Sequence, residues 1–368
     1  MFCRNICVEN YRNIAEASVD FCEGTNVLVG ENAQGKTNLL EAIYITALGK
    51  GFRQATDKES IRFGENHCLI RNQYHDGIRD MEISMRIFAD RRQKIVEQNK
   101  VKVSRTSDMV GSFKVVLFCP EHLSLIKEGP ALRRGFLDIA ISQIRPLYLK
   151  SLQRYMVILK ERNALIKTAE EDRGAFQATI DLFSDQLAVE AATITEYRVR
   201  YVEKLREYVR LCFRDMTGER ELPQLSYLTT CKITEEECFD FNRCLEAYRS
   251  LYFSHHDREI AAGSTLWGIH KDDVDIAING NRARIFASQG QQRSLSLALK
   301  LAEGEIIREE CGGAYPVFLF DDVLSELDGG RREYLLSNLK NKQVILTCCE
   351  SSGVTADRLI RVSNGQFQ

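Results

Sequence analysis

The 368-residue sequence predicts an α/β fold with a mixed sheet and an inserted helical lobe, on three observations. An apolar run, Val27-Leu28-Val29, enters a glycine-bounded loop and leaves it through Asn38-Leu39-Leu40-Glu41-Ala42-Ile43, which reads as the first turns of a helix. A second apolar run, Val317 to Phe320, suits a central parallel strand. Between the two, Leu187, Ala191, Ile194, Tyr201, Leu205, Tyr208 and Cys212 keep the spacing of an amphipathic helix.

Residues 1–29 alternate apolar and polar and predict two or three strands, the last feeding the loop. The helix after the loop runs to about Leu48 and stops at Gly49-Lys50-Gly51. From Ile61 to Phe118 the pattern is strand-like, cleanest over Met81 to Ile87, and Val115 to Phe118 closes it as a buried strand before Pro120. Leu147 to Lys167 and Asp181 to Met216 are helical, with the break at Gly174, and predict an antiparallel pair. Strands return at Asp275 to Ile278, a turn at Asn279-Gly280 and Arg284 to Phe286. A helix from about Gln291 to Glu310 precedes the Val317 strand, and Gln343 to Thr347 is the final strand. The expected lobes are residues 1–118 with 300–368, and 119–299.

Composition sets the class. A hydrophobic fraction of 44% and a charged fraction of 28% describe a soluble globular protein. No apolar run approaches the ~20 residues of a membrane span. Met1 to Cys7 lacks the apolar core of a secretory signal, so the expected location is cytoplasmic, with no membrane partner. The twelve cysteines form no C-x-x-C, and Cys231, Cys238 and Cys244 have spacings that suit no common zinc module; they read as reduced thiols. His270, Asp272 and Asp273 share one loop, where a structural role fits better than a metal site. A net charge of −2 excludes coating of nucleic acid by bulk charge but leaves room for a local basic face. Basic residues gather at Arg91-Arg92-Gln93-Lys94, at Lys100 to Arg105, at Arg133-Arg134 and along Arg145 to Lys167.

The loop Gly30-Glu31-Asn32-Ala33-Gln34-Gly35-Lys36-Thr37 fits G-x-x-x-x-G-K-[ST]. Its glycines let the backbone curl so that N–H groups face a phosphate, and the helix N-terminus adds partial positive charge. Lys36 can reach the β- and γ-phosphates, and the Thr37 hydroxyl can ligate Mg²⁺. Asp321 and Asp322 end the second apolar run, where a strand beside the loop strand would deliver one acid to Mg²⁺ and another to the attacking water. Standing alone, such a pair also suits a turn or helix cap; the upstream loop favours the nucleotide site. Ser288 and the Gly290 amide stand where a helix N-terminus could bind anionic oxygens.

The order of these pieces, closed by Ser325-Glu326-Leu327-Asp328, resembles the ATP-binding-cassette ATPases, and among them the chromosome-maintenance (SMC-like) branch. Gly51-Phe52-Arg53, Glu128 to Asp138, Gly268 to Asp273, Phe286 to Arg293 and Asp321 to Asp328 are, with the loop, similar to the RecF family of recombination mediators nearly end to end. That resemblance implies an ATP-binding-cassette head with a short helical arm, and ATP bound by Gly30, Glu31, Asn32, Ala33, Gln34, Gly35, Lys36, Thr37 and Asn38. It implies that Thr37 and Asp321 hold Mg²⁺, with Lys36, Asp321 and Asp322 catalytic. Ser288, Gly290, Gln291 and Gln292 would form a signature loop acting across a homodimer, with Ser325 and Asp328 touching the neighbouring subunit's nucleotide. Two positions depart from the pattern. Ala33 replaces a common glycine and should stiffen the loop, and Thr347-Cys348-Cys349 stands where many relatives have a γ-phosphate-sensing histidine, consistent with slow hydrolysis.

The expected function is an ATP-gated clamp on duplex DNA at junctions with single-stranded gaps, with weak DNA-dependent ATPase activity. Recombinational repair and replication restart, with RecR- and RecO-type partners, follow from the resemblance. Charge density nominates Arg91, Arg92, Lys100, Lys102 and Arg105 for the DNA face. The rival readings are a transporter ATPase subunit, a P-loop kinase of a small metabolite and a non-hydrolysing scaffold.

Overall fold

A computed structural model describes residues 1–53, 56–91, 94–218, 221–349 and 354–368. The chain forms two compact units, Met1–Ser124 with Gly290–Gln368, and Leu125–Gln289. The chain therefore re-enters the first unit at residue 290, earlier than the expected 300. The reason is local: Ser294 accepts from Arg331, Arg293 pairs with Glu326 and the Ser296 hydroxyl donates to the Leu123 carbonyl, so the start of this helix is tied into the first unit.

The first unit opens with strands β1 (Phe2–Tyr11), β2 (Ile14–Asp20) and β3 (Thr25–Val29), then helix α1 (Lys36–Leu48). Strands β4 (His67–His75), β5 (Asp80–Phe88), β6 (Ile95–Gln98), β7 (Val101–Lys102) and β8 (Val115–Phe118) follow. An antiparallel sheet runs β2-β1-β4-β5-β6-β7. β1 and β4 alternate buried and exposed positions, the pattern of a sheet with one face on a core.

The second unit holds helices α2 (Pro130–Ile144), α3 (Pro146–Lys167) and α4 (Arg173–Thr217), strand β9 (Pro223–Leu228), helices α5 (Phe241–Ser254) and α6 (His256–Ala262), strands β10 (Asp273–Ile278) and β11 (Asn281–Arg282), and the short helix α7 (Ala283–Phe286). α3 and α4 are antiparallel, because their side-chain pairs Tyr148–Arg198, Arg154–Glu190 and Arg162–Ser184 run in opposite directions. Gly174 does not break them. It lies in the first turn of α4, where backbone N–H groups lack helical partners anyway, and the Asp172 side chain caps that turn by accepting from the Ala175 amide. Arg284 to Phe286 form the single turn of α7 rather than a strand. α2 opens on proline at the first helical position, Pro130 after Gly129.

Back in the first unit come α8 (Gln289–Glu310), β12 (Val317–Asp321), α9 (Gly329–Asn338), β13 (Val344–Cys348), β14 (Arg358–Ser363) and β15 (Gln366–Phe367). Two strands thus follow the one expected to be last. The mixed sheet is ordered β15-β14-β3-β13-β12-β8, parallel except for the β14–β15 hairpin. β8, β12 and β13 are buried at every position, as a strand covered on both faces must be. α1 is buried nearly all round. Its Leu39, Leu40, Ala42, Ile43 and Ile45 share one core with Ile6, Ile70 and Met85 of the antiparallel sheet and Leu28, Leu319 and Ile345 of the mixed sheet. The helix leaving the loop is therefore locked in place by both sheets.

Candidate functional site

The loop between β3 and α1 is shaped by its close neighbours. A Cβ on Gly30 would sit 2.2 Å from the Val362 carbonyl oxygen, and Gly35 has φ +113°, so neither position admits a side chain without rearrangement. Ala33 adopts φ +63°, a left-handed conformation costing about 1 kcal/mol for a residue with a Cβ. Its substitution for glycine thus strains the loop as well as stiffening it. Side chains brace the curve from outside: Asn13 Nδ2 donates to the Ala33 carbonyl at 3.2 Å, and Gln34 Oε1 accepts from the Asn364 amide. Lys36 is buried, and its ammonium donates into the loop itself, to the carbonyls of Gly30 and, at 2.9 Å, Glu31. Asn38 bonds Asn13 and Arg53.

The parallel register sets β12 beside β13 with Asp321 opposite Thr347, and β13 beside β3. Thr37 Oγ1 consequently donates to Asp321 Oδ1 at 2.7 Å. Thr347 Oγ1 donates to the same oxygen at 2.9 Å. Burial pushes the Asp321 carboxyl above the usual carboxylate range, and the two hydroxyl donors oppose that rise. A hydroxyl and a carboxylate converging at this distance are hard oxygen donors of the kind Mg²⁺ takes, so the residues present fit the metal. Asp322 is exposed and sits at φ +52°. A strained backbone of this sort costs about 1–3 kcal/mol and is held by its surroundings.

The remaining expected residues fall into a second group. Asp328 caps α9 by accepting from the Arg331 amide at 3.0 Å and pairs with the Arg331 guanidinium; that amide bond and the guanidinium charge hold it below the usual carboxylate range. Arg331 Nε reaches Ser294 on α8 at 2.8 Å, and its guanidinium lies 3.0 Å from where a Gly290 Cβ would be. Ser325 Oγ donates to the Asp322 carbonyl at 2.7 Å. Gly290, Gln291, Gln292, Ser325 and Asp328 all belong to the first unit, whereas Ser288 belongs to the second. Ser288 is exposed at the start of the signature segment.

Four groups take roles that the sequence did not assign. Glu41, fully buried in α1, gathers Tyr11, Arg12 and Arg53 around its carboxylate at about the length of a strong hydrogen bond, and so anchors Arg53 beside the loop helix. Thr347 is committed to the two acids rather than left free to sense phosphate. Cys349, just past that strand, faces the loop instead: its thiol donates to Asn32 Oδ1 at 3.1 Å and lies 4.0 Å from Lys36 Nζ. Arg331 is the fourth. The Thr347–Asp321 pairing had a sequence signal, since placing the two apolar runs as neighbouring parallel strands aligns them.

The basic clusters separate by role. Arg133 is buried and bidentate to Asp273 at 2.8 and 2.9 Å, and Arg134 donates to the Asp272 carbonyl, so both are structural. Of the nominated DNA face, Arg91 is exposed, stacked 3.5 Å from the centre of the Phe88 ring. Arg92 lies outside the described residues. Lys100, Lys102 and Arg105 are exposed, but Lys100 stands in the β6–β7 turn next to Glu82, at the opposite end of β5 from Phe88. At about 3.3 Å per residue, the seven residues from Met81 to Phe88 separate these ends by roughly 20 Å, so Arg91 and Lys100 do not share one cluster. In the second unit Asp272 accepts from Tyr227, Tyr248 and Thr230, and His270 bonds Tyr155 and Thr265, so each is already engaged in packing.

A phosphate loop ending in Lys-Thr, whose threonine meets the acid at the end of a parallel strand two places away in the sheet, defines the head of a P-loop ATPase of the ATP-binding-cassette type. The family described as RecF/RecN/SMC N terminal domain matches residues 2–367. The chain belongs to that family, on its RecF branch. It is 36% identical to the DNA replication and repair protein RecF of Geobacillus thermodenitrificans, over 97% of this chain and 95% of that one. Its fold is similar to that of the recombination mediator protein RecF-ATP in the RecFOR pathway, with a TM-score of 0.93 and 34% identity over 100% of this chain and 97% of that one. The RecF-ATPrS structure from the same pathway gives 0.94 and 33% over the same shares.

Proposed function

We propose that this chain is an ATP-dependent DNA-binding protein of recombinational repair and replication restart, which closes as a homodimer on ATP and clamps DNA at junctions with single-stranded gaps. The observation that carries this reading is the assembly Lys36–Thr37–Asp321–Thr347 in a chain similar over its whole length to RecF with ATP. The transporter alternative draws no support from relatives named for DNA replication and repair.

Gly30 to Asn38 would cradle the phosphates with backbone amides, and Lys36 would exchange its two carbonyl partners for phosphate oxygens. Thr37 and Asp321 would hold Mg²⁺, which when bound neutralises charge on the β- and γ-phosphates. Asp322 would orient the attacking water. Ser288, Gly290, Gln291 and Gln292 would cap the γ-phosphate held by a second copy, with Ser325 and Asp328 beside the same nucleotide. Cys349 supplies no positive charge where other cassette ATPases place a histidine, which supports weak, slow hydrolysis and a switch rather than a rapid engine. DNA contact through exposed cations such as Arg91, Lys100, Lys102 and Arg105 would go to phosphates and weaken with salt. RecR- and RecO-type proteins are the mediators proposed to act with it in loading a recombinase.

Light scattering with and without ATP and gapped DNA tests the reading. Wild type should double in mass with ATP, Lys36→Met should stay monomeric, and Ser288→Arg should bind ATP without doubling. A Ser288→Arg protein that still dimerises removes the trans arrangement. DNA affinity indifferent to both ATP and salt removes the clamp.

A further inference from the structure

Thr347 is almost fully buried, and its hydroxyl joins both acids of the site. Its Oγ1 donates to Asp321 Oδ1 at 2.9 Å and accepts the Asp322 N–H at 2.9 Å. One hydroxyl carries one donor and two acceptor positions, so both bonds can be made at once. The second bond fastens a residue whose backbone is left-handed and strained, in the turn leaving β12. The first fastens a carboxylate oxygen that Thr37 also holds. Thr37 would offer a metal a lone pair while its proton stays on Asp321, and Thr347 holds the same carboxylate oxygen from the neighbouring strand.

We infer that Thr347 is a positioning residue for ATP hydrolysis: its hydroxyl sets the spacing between the metal-holding acid, Asp321, and the water-orienting acid, Asp322. Because the parallel register places Thr347 opposite Asp321, the same hydroxyl ties the end of β13 to the end of β12, on which both acids ride. The inference rests on the ATPase reading above. It differs from a phosphate-sensing role, since both hydrogen-bonding directions of this hydroxyl already point at the acid pair.

The test compares wild type, Thr347→Val, Thr347→Ser and Thr347→Cys by nucleotide binding and steady-state turnover. Valine keeps the shape and loses the hydroxyl; serine keeps the hydroxyl. A misplacement of catalytic groups on the order of 1 Å can cost about 10²-fold in rate. Thr347→Val is therefore expected to lose about 10- to 100-fold in kcat with KM within about threefold of wild type, and Thr347→Ser to recover most of the rate. Thr347→Cys, a weak hydrogen-bond former of similar size, should resemble valine and serves if valine does not fold. Wild-type kcat in Thr347→Val or Thr347→Cys overturns the inference, as does a loss confined to KM or a serine variant as slow as valine. A wild type that binds ATP but never turns it over defeats the ATPase reading and this inference together.

Discussion

The second unit and the nucleotide site use the same residue types in opposite ways. In the second, Arg162 is wholly buried with Glu259 at 2.6 Å, Thr265 at 2.7 Å and Ser184 at 3.2 Å. Arg198 is likewise enclosed by Asp138, Tyr148 and the Ile269 carbonyl. At the site, Asp321 and Lys36 are buried but keep 8% and 7% exposure, and the backbone of Ala33 and Asp322 is strained around them. Enclosed and saturated charges hold helices in register; strained charges near the surface can exchange their partners for a ligand. The difference is one of accessibility, not of amino-acid type.

Breaking a saturated pair should give the largest effect. Arg162→Ala leaves Glu259 buried without its counter-charge, at a cost of about 3–5 kcal/mol. Trp267, the sole tryptophan, lies in the second unit and reports its unfolding by fluorescence. ATP affinity in folded protein should be unchanged; a variant as stable as wild type would contradict the contrast.

Acid probes the same unit. The Thr265 carbonyl can only accept, so His270 Nε2 carries the proton and Nδ1 accepts from Tyr155 at 2.7 Å. Burial lowers the His270 pKa from 6.5 to about 4. A histidine kept neutral by the fold contributes stability that is present above the unfolded pKa and lost as pH falls from 6.5 towards 4. The loss is at most about 3 kcal/mol, from 1.36 kcal/mol per unit. His270→Gln should flatten that acid limb in Trp267-monitored denaturation, and an unchanged limb would assign it to other groups.

Lys36→Met inverts the pattern, removing ligand response without loss of fold. Wild type should gain about 2.7 kcal/mol at ATP one hundred times above its Kd, and the variant nearly nothing. Thermal melting with and without ATP·Mg²⁺ reads the difference. The smallest effect is Ala33→Gly, which removes left-handed strain but adds chain entropy, for a net gain under about 1 kcal/mol. A clear loss of melting temperature would mean the alanine contributes packing that outweighs its strain.

The nucleotide loop was legible because its parts are consecutive: strand, glycine turn, Lys-Thr and helix follow one another, and local backbone geometry suffices to read them. The Asp321 strand was legible by its apolar run. Gly174 misled because glycine signals a break only where it must adopt an unusual conformation, and the first helical turn makes no such demand. Arg133 and Arg134 appeared as a solvated basic pair; their partners in the Asp272-Asp273 loop lie about 140 positions away. Arg91 and Lys100 are close along the chain, yet β6 carries the chain from one end of β5, beside Arg91, to the other, beside Lys100.

The sequence by itself determined the P-loop, the acid pair, the family resemblance and the helical insertion, all of which depend on neighbours in the chain. Only the tertiary structure decided that Thr347 serves Asp321 and Asp322, that Glu41 anchors Arg12 and Arg53, and that most buried arginines are structural. The physical reason is that hydrogen bonds and ion pairs act over about 3 Å in space, and strand register and helix packing set which distant residues come that close.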